Sequence, residues 1–277
     1  MKIAYFILVH HKAAQFHWLW RAIYSKMDTY CIHVDAKSPE TFQSEVRAIV
    51  GDCGNVHWLS RRSIAWSGWS MVKAELDAMR LMLAEGGDWQ RWVNLSGQDY
   101  PIKSMREIRD ALATSTLNHI RCWPLTKIAA EEPNDLHLER RICLEYGGRI
   151  HYTRLRMPFP STLDLEWKGS TWHTFNRSFC EWVVASPLTK RVARTLRFTF
   201  CPDETFFQGL IMNSPFVETV DQEYWRFVLW PGPKVLRVEH LLDIKKSPCL
   251  FARKFDHTID SSILHQLASA GDHAAPQ

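Results

Sequence analysis

Runs of apolar residues alternate with amphipathic segments through the first 118 residues of the chain. The apolar runs occupy residues 2–9, 29–37, 55–60 and 91–97, and the first of them, KIAYFILV, is almost unbroken. Continuous apolar runs of this kind are typical of parallel strands that are buried on both faces. The pattern therefore predicts a series of central strands.

Between these runs, apolar residues recur at spacings of three and four, which is the period of an amphipathic helix. Helices are predicted over residues 13–24, 69–84 and 104–112. Strands that alternate with helices predict a doubly wound α/β fold, with a mostly parallel central sheet flanked by helices.

The second half of the chain is less regular. Residues 125–165 are polar and proline-containing, which favours a variable region of the domain over a linker. A strand and then a helix are predicted within residues 169–184, GSTWHTFNRSFCEWVV. We predict a single domain over residues 1–267 and a disordered tail over residues 268–277.

The amino-acid composition indicates a globular protein but does not by itself identify a function. Hydrophobic residues make up 46% of the chain, as in a globular protein, and thirteen tryptophans and seven tyrosines supply many aromatic faces. The formal charge of +4 favours an anionic ligand such as a phosphate, but it is too small to imply a nucleic-acid partner.

The seven cysteines are scattered singly, without any CxxC spacing. A zinc or redox motif is therefore not expected, and unpaired thiols suit a reducing compartment. The apolar run at the amino terminus is short for a secretory signal and lacks a cleavage site, and no other segment has the length of a membrane span. We expect a cytoplasmic protein without a transmembrane segment.

Polar residues follow the predicted strands at their carboxyl ends, where parallel α/β sheets bind ligands. They are His10, His11, Asp35 and residues 96–99. Neither a GxGxxG fingerprint nor a GxxxxGK[ST] loop is present, so side-chain cations or helix amino termini would have to hold a phosphate. The two histidines are interpreted as structural residues near the ligand.

The stretch CPDETFF places Asp203 and Glu204 after a proline and before an aromatic run. Adjacent carboxylates in this setting can cap a helix, bind a metal ion or act as a general base. The local pattern leaves these alternatives open.

Several longer blocks together resemble one known family. AYFILVHHK, SGWSMVKAELDAM, WQRWVNLSGQDYPIKS, GSTWHTFNR, CPDETFFQ and LFARKF occur in the order found in the core-2/I-branching β-1,6-N-acetylglucosaminyltransferases, a family shared with peptide O-xylosyltransferases. The resemblance runs from about Ile3 to about Leu264 and is weak across residues 120–165. It implies a GT-A-like fold, a UDP-sugar donor, inversion at the anomeric carbon and no metal requirement, in a short bacterial or phage-like member.

The resemblance also implies a donor site. Leu8 would lie beneath the uracil, Asp35 would contact the nucleoside, and Trp66 would stack on the base or ribose. A carboxylate can accept the donors of uracil or ribose, and an indole face suits a planar ring. Asp35 as the cap of a strand-end turn and Trp66 as core packing remain the alternatives.

Without a metal ion, the leaving diphosphate needs cations of fixed geometry. The resemblance assigns this role to Lys254, in FARKF, and to Arg237, in KVLRVEH, with Arg253 as the rival of Arg237. Both could instead be ordinary surface cations. The nearest relative of an Asp-x-Asp metal motif, residues 164–166, lies outside every matching block and is interpreted as a solvated loop, so no metal site is predicted.

On the acceptor side, the resemblance makes Glu204 the general base, and Asp203 is then interpreted as the cap of the following helix. Trp230 corresponds to an acceptor-stacking tryptophan, although Gly232 stands where a second aromatic residue is expected. Arg140, in HLER, is a further candidate for acceptor binding.

Together these observations predict a metal-independent, inverting glycosyltransferase that needs no cofactor. It would transfer a sugar, with GlcNAc as the leading donor and xylose as the alternative, from UDP to a saccharide hydroxyl in surface-polysaccharide assembly. Residues 1–118 would bind the nucleotide sugar, and residues 119–267 would supply the acceptor and catalytic half, with residues 125–165 as a lid or acceptor region. One alternative acceptor is a hydroxylated base in DNA, and nucleic acid would be a partner only in this way. The other alternative is a catalytically silent sugar- or nucleotide-binding protein.

Overall fold

The structure, a computed structural model, describes residues 1–127 and 140–271. Its strands are, in chain order, β1 (Ile3–Val9), β2 (Thr29–Val34), β3 (Val56–Trp58), β4 (Arg91–Ser96), β5 (Tyr100–Pro101), β6 (Asn118–His119), β7 (Trp123–Pro124), β8 (Arg141–Tyr146), β9 (Arg149–Arg156), β10 (Trp167–Lys168), β11 (Thr174–Asn176), β12 (Val220–Asp221), β13 (Arg226–Val228) and β14 (Phe251–Arg253). Its α-helices are α1 (Ala13–Ile23), α2 (Glu40–Val50), α3 (Trp69–Glu85), α4 (Met105–Thr114), α5 (Arg177–Ala185), α6 (Pro187–Leu196), α7 (Phe206–Met212), α8 (Leu241–Lys246) and α9 (Ser262–Ala270).

A seven-stranded sheet in the order β12-β6-β11-β4-β1-β2-β3 forms the centre of the molecule. The strand β1 pairs in parallel with β2 and β4, β2 pairs in parallel with β3, and β6 pairs in parallel with β12. The strand β11 is antiparallel to both of its neighbours. The prediction of an α/β fold with a mostly parallel central sheet is confirmed.

Helices cover both faces of this sheet, which is why its central strands are apolar without alternation. Tyr5 and Ile7 of β1 point into a core shared with α1, α2, α4 and α9. Ala4 and Phe6, on the opposite face of the same strand, belong to a core shared with α3, α5, α6 and α7. The sheet is therefore doubly wound, as predicted.

Some predicted elements differ from the structure. The helix α2 was not predicted, because only Phe42, Val46 and Val50 of its residues are buried and the rest of its surface is polar. The polar region 125–165 contains the antiparallel hairpin β8–β9. The helix α9 continues through Ala270 and buries Ala268, so the predicted start of the tail at residue 268 is too early. Residues 272–277 of that tail lie outside the described part.

The hairpin β8–β9 is attached to the sheet-covering helix α3 by one carboxylate. The Oε2 atom of Glu145 accepts a hydrogen bond from the backbone N–H of Ser70 at 2.9 Å, and so satisfies a free donor in the first turn of α3. A Cβ atom at Gly68 would lie 2.7 Å from the same oxygen, so a glycine is needed for this approach. This contact holds the hairpin against Gly68 and Ser70, which directly follow the loop that carries Trp66.

Two further observations concern the cysteines and the lengths of the helices. All seven cysteines are free thiols. Within the described residues, no helix combines the length and the apolar character that crossing a bilayer requires.

The cap supplied by Glu145 leads to a prediction about stability. Replacing Glu145 with Ala should lower the free energy of unfolding by about 1 kcal/mol, because it removes an acceptor from a helix amino terminus. Urea unfolding followed by circular dichroism measures this change. Glu181→Ala, which removes the partner of Arg177 at the surface of α5, is the matched control and should change stability by less than half as much. Equal effects of the two variants would contradict the capping role.

Candidate active site

A cleft of about 340 Å³ opens at the carboxyl ends of β1, β2 and β4. Its floor includes Leu8 and His10 from the end of β1, Asp35 after β2, and Ser96 and Gln98 at the end of β4. These ends meet because the strands run parallel in neighbouring positions. A larger, shallow groove beside Trp89 lies at the opposite end of β4, away from every site residue predicted from the sequence.

Most of the predicted site residues line this cleft. They are Leu8, Asp35, Trp66, Glu204, Trp230 and Lys254. Arg140 and Arg237 are not among the lining residues. The structure therefore brings together side chains from both halves of the chain, separated by as many as 246 positions.

Asp35 lines the cleft and also makes a hydrogen bond within its own turn. Its Oδ1 atom accepts a hydrogen bond from the backbone N–H of Lys37 at 2.8 Å, and its Oδ2 atom lies 3.8 Å from the Nζ atom of Lys37. The two interpretations of Asp35 are thus compatible, because the turn-capping bond holds the carboxyl group at the edge of the cleft.

Two tryptophans border the cleft with open faces. Trp66 is 78% exposed, which excludes the core-packing alternative, and Trp230 is 63% exposed. The loop that carries Trp66 is bound on its other side, since the backbone N–H of Cys201 donates to the carbonyl of Ser67 at 3.1 Å. Large exposed indoles beside a cleft are suited to stacking on planar or sugar rings.

Two adjacent cations from the end of β14 reach the cleft, Arg253 and Lys254. The guanidinium of Arg253 lies 4.1 Å from the ring centre of Trp172, and its Nε atom lies 3.6 Å from Oδ1 of the buried Asp99. Burial lowers the pKa of Arg253. Burial also lowers the pKa of Lys254, and the neighbouring charge of Arg253 adds to this effect.

Arg237 occupies a different position. It is exposed and precedes a short 3₁₀ helix, where its backbone N–H donates to Nδ1 of His240 at 2.9 Å. The backbone of Leu236 beside it is bonded to the carbonyl of Lys254 at 2.8 Å. Arg253 lines the cleft and Arg237 does not. The geometry therefore favours Arg253, the sequence-based alternative to Arg237, as the second cation of the cleft.

The carboxylate of Glu204 lines the cleft at the end of a 3₁₀ turn, Pro202–Glu204. Its Oε2 atom lies 3.7 Å from the Nζ atom of Lys168. Its carbonyl accepts the backbone N–H of Gly169 at 2.8 Å, which ties the turn to the segment that follows β10. The position of Glu204 is therefore fixed by two backbone segments, the 3₁₀ turn that carries it and the segment at Gly169.

Asp203 does not cap the following helix, and that prediction is wrong. The helix α7 begins after Thr205 without any side-chain cap. Instead, Oδ2 of Asp203 accepts a hydrogen bond from Oγ1 of Thr171 at 2.7 Å, while Oδ1 is buried without a partner among the described residues. Burial raises the pKa of Asp203. Asp203 nevertheless lines the same cleft as Glu204, because the two residues are adjacent in the 3₁₀ turn.

A buried polar network lies beneath this wall. Oε1 of Glu75 accepts from Nε1 of Trp92 at 2.8 Å and lies 2.7 Å from Nε2 of His173. The backbone N–H of His173 in turn donates to Oδ1 of Asn94 at 2.9 Å. These bonds fix the segment 171–173, and with it Thr171 and Trp172 of the cleft.

Sequence reasoning missed Trp172, Lys168 and Glu75. Trp172 lies inside the matching block GSTWHTFNR, and Lys168 comes directly before that block, so the block itself was an available signal. Glu75 lies next to Leu76 on the buried side of α3, where an unpaired acid would be costly. The position of Glu75 among the apolar residues of this helix was the signal that it takes part in a buried hydrogen-bond network.

The residues 140 and 164–166 form a separate group. Arg140 pairs with Glu166, and Oδ2 of Asp164 accepts a hydrogen bond from Nε1 of Trp167 at 2.8 Å. None of the three lines the cleft. Residues 137–139 of the predicted acceptor stretch HLER lie outside the described residues. Across residues 1–127 and 140–271, no cluster of three or more His, Cys, Asp or Glu side chains is arranged to hold a metal ion.

The fold and the cleft define an α/β protein with a cleft at the carboxyl ends of parallel strands, and the charged side chains that line this cleft are Asp35, Lys37, Asp203, Glu204, Arg253 and Lys254. The model of the Core-2/I-Branching enzyme family matches residues 3–251. The chain belongs to this family of enzymes, as its motifs predicted.

Curated relatives share the name beta-1,3-galactosyl-O-glycosyl-glycoprotein beta-1,6-N-acetylglucosaminyltransferase. The protein of Ovis aries is 32% identical over 307 residues, which cover 99% of this chain and 68% of the relative. The protein of Bos taurus is 32% identical, and that of Bovine herpesvirus 4 is 31% identical, each over 75% of this chain and 46% of the relative. The chain thus spans about half the length of these last two relatives.

A solved structure of the galactosyltransferase LgtC, in complex with donor and acceptor sugar analogues, covers 100% of this chain and 98% of its own. The identity is 10% and the TM-score is 0.48. A likeness at this level supports no argument about function.

The buried position of Asp203 leads to a prediction about pH and stability. Because its pKa is raised on folding, its ionised form opposes folding above that pKa, and the opposition disappears below the ordinary pKa of aspartate. Asp203→Asn, which buries a neutral amide in its place, should therefore raise the free energy of unfolding at pH 7 by about 1 kcal/mol. The gain should shrink as the pH is lowered towards 3.

Urea unfolding of both proteins at several pH values measures this difference. The control is Asp164→Asn, which replaces an acidic side chain that does not line the cleft. A stability difference between Asp203→Asn and the wild type that stays constant over this pH range would show that Asp203 does not titrate as its burial implies.

Proposed function

We propose that this protein is an inverting glycosyltransferase that transfers a sugar, GlcNAc in the first instance, from UDP to a hydroxyl group of a saccharide without a metal ion. The observation that carries the proposal is the meeting of Glu204, Arg253 and Lys254 in one cleft of a chain that belongs to the Core-2/I-Branching enzyme family. The names of the relatives support GlcNAc as the sugar and a β-linkage as the product.

The donor would bind with its nucleoside at the ends of β1 and β2. Leu8 would lie beneath the uracil, Asp35 would accept hydrogen bonds from the nucleoside, and the open face of Trp66 would stack on a ring. Arg253 and Lys254 would contact the diphosphate. We assign the second cation to Arg253 rather than to Arg237 because Arg253 lines the cleft and is oriented by Asp99 and Trp172.

In the transfer, Glu204 would remove the proton of the acceptor hydroxyl while that oxygen forms its bond to the anomeric carbon. The bond between this carbon and the β-phosphate oxygen breaks at the same time, and its electron pair leaves with UDP. The fixed charges of Arg253 and Lys254 stabilise the growing negative charge of UDP. The proton on Glu204 then passes to solvent. A single base suffices, since the diphosphate leaves without being protonated.

The acceptor would be a saccharide that stacks on Trp230, in surface-polysaccharide assembly. A cytoplasmic location is supported by seven unpaired thiols, which suit a reducing compartment. UDP-xylose stays the alternative donor. The presence of Glu204 and of both cations in the cleft favours an enzyme over a silent binding protein.

Replacing Glu204 with Gln should lower kcat by about 10²–10⁴-fold, because the amide cannot take the acceptor proton. Affinity for UDP should stay within a factor of two, since this side chain faces the acceptor rather than the diphosphate. Release of UDP measures the first quantity, and calorimetric titration with UDP measures the second. Asp164→Asn is the control for loss of an acid outside the cleft. A Glu204→Gln variant that turns over at the normal rate would remove Glu204 from the role of base.

The lowered pKa of Lys254 means that its charge is lost at a lower pH than that of an ordinary lysine. Affinity for UDP should therefore fall as the pH rises from 7 to 10. In Lys254→Arg the decline should be smaller, because a guanidinium stays charged throughout this range. Lys254→Ala should bind UDP at least tenfold more weakly at pH 7. Identical pH profiles for the wild type and Lys254→Arg would show that Lys254 is not the titrating contact.

Turnover of UDP-GlcNAc should survive an excess of EDTA, since Arg253 and Lys254 supply the charge that a metal ion would supply. The rates before chelation, after chelation and after addition of manganese give the answer. Activity that disappears with EDTA and returns with manganese would overturn the metal-independent mechanism and would direct attention back to Asp164 and Glu166.

A further inference from the structure

A cationic and aromatic surface adjoins the cleft on the side of Glu204. It consists of Arg121, Trp123 and Lys168, and we refer to it as the ribbon surface. Lys168 of β10 is the direct partner of Trp123 of β7 in an antiparallel pair, so their side chains lie on the same face of this short ribbon. Since Nζ of Lys168 is 3.7 Å from Glu204, the surface begins at the proposed base.

The backbone holds this surface rigidly against the cleft. The carbonyl oxygen of Arg121 would lie only 1.8 Å from a Cβ atom at residue 169, so the two chain segments touch, and only glycine permits the contact. The N–H of Gly169 is bonded to the carbonyl of Glu204 at 2.8 Å. Arg121 is therefore positioned relative to Glu204 through a single intervening residue.

The guanidinium of Arg121 is held by aromatic rings. It lies 4.0 Å from the ring centre of Tyr224, which lines the cleft, and 5.0 Å from that of Trp123, which is partly exposed. Among residues 1–127 and 140–271, no carboxylate pairs with it and no acceptor takes its hydrogen bonds. An arginine that is fixed by stacking keeps its N–H groups available for a bidentate bond to a carboxylate or phosphate.

We propose that the ribbon surface binds the anionic group of an acidic saccharide acceptor, and that Arg121 is the residue that pairs with its carboxylate or phosphate. The proposal rests on the proposed function, because it assigns the class of acceptor to the same cleft. An acidic acceptor places its charge on Arg121 and its reacting hydroxyl beside Glu204. A neutral acceptor gains no such contact.

Binding of defined polysaccharides tests this proposal without knowledge of the natural acceptor. The probes are polygalacturonate, which carries carboxylates, a phosphomannan, which carries phosphates, and neutral dextran. The wild type should bind one or both acidic polymers at least tenfold more tightly than dextran, as expected for charge-assisted bonds. The stronger of the two acidic probes identifies the anionic group.

Variants of Arg121 separate this contact from general basicity. Arg121→Met keeps an apolar contact with the ring of Tyr224 without the charge and should weaken binding of the acidic polymer about tenfold, whereas Arg121→Lys should restore part of it. Arg106→Met removes a cation of α4 whose side chain is 92% exposed, and it should have no effect beyond a factor of two. Affinity for UDP should be the same in all of these variants.

Several results would overturn the proposal. They are equal binding of dextran and the acidic polymers, equal losses in Arg121→Met and Arg106→Met, and tighter binding of a single-stranded oligonucleotide than of either acidic polymer. Failure of the wild type to bind UDP would instead count against the proposed function. The polymer measurements distinguish the two failures, because they do not depend on the donor.

Discussion

The parallel pairing of β1 with β2 and β4 is the interaction on which the rest of the molecule depends. It places the last residues of three strands at one edge of the sheet, and it requires helices on both faces, since a parallel sheet buries both of its sides. The cleft lies at this edge.

The charged side chains of the cleft are placed by burial, by close backbone contacts and by ion pairs with neighbouring side chains. Arg253 is confined between Trp172 and Asp99, and Glu204 is tied by its carbonyl to Gly169. In the proposed mechanism this placement is preorganisation, because the cations would not have to move when charge develops on the leaving group. The same burial lowers the pKa of Lys254, since it disfavours the charged form that the proposed contact with the diphosphate requires.

Aromatic side chains have two different roles around the cleft. Trp66 and Trp230 leave large faces open, which suits ring ligands, while Trp172 and Tyr224 hold guanidinium groups by stacking. Stacking orients an arginine without consuming its hydrogen-bond donors. Both arginines that we propose as anion contacts, Arg253 for the donor and Arg121 for the acceptor, are therefore held by an aromatic ring.

The sequence by itself determined the fold class, because apolar runs and helical periodicity report burial directly, and its ordered motifs determined the family. Its motifs also contain part of the cleft lining, such as Leu8, Glu204 and Lys254, whereas Tyr224 and Trp230 lie outside the motifs. Only the tertiary structure shows that Arg253 lines the cleft whereas Arg237 does not, and that Asp203 accepts a hydrogen bond from Thr171 rather than capping a helix. The ribbon surface likewise had no sequence pattern, because Arg121, Lys168 and Glu204 are distant in the chain and meet through tertiary contacts around Gly169. Local patterns report whether a residue is buried or exposed, whereas the direction of a side chain within a site depends on contacts between remote segments.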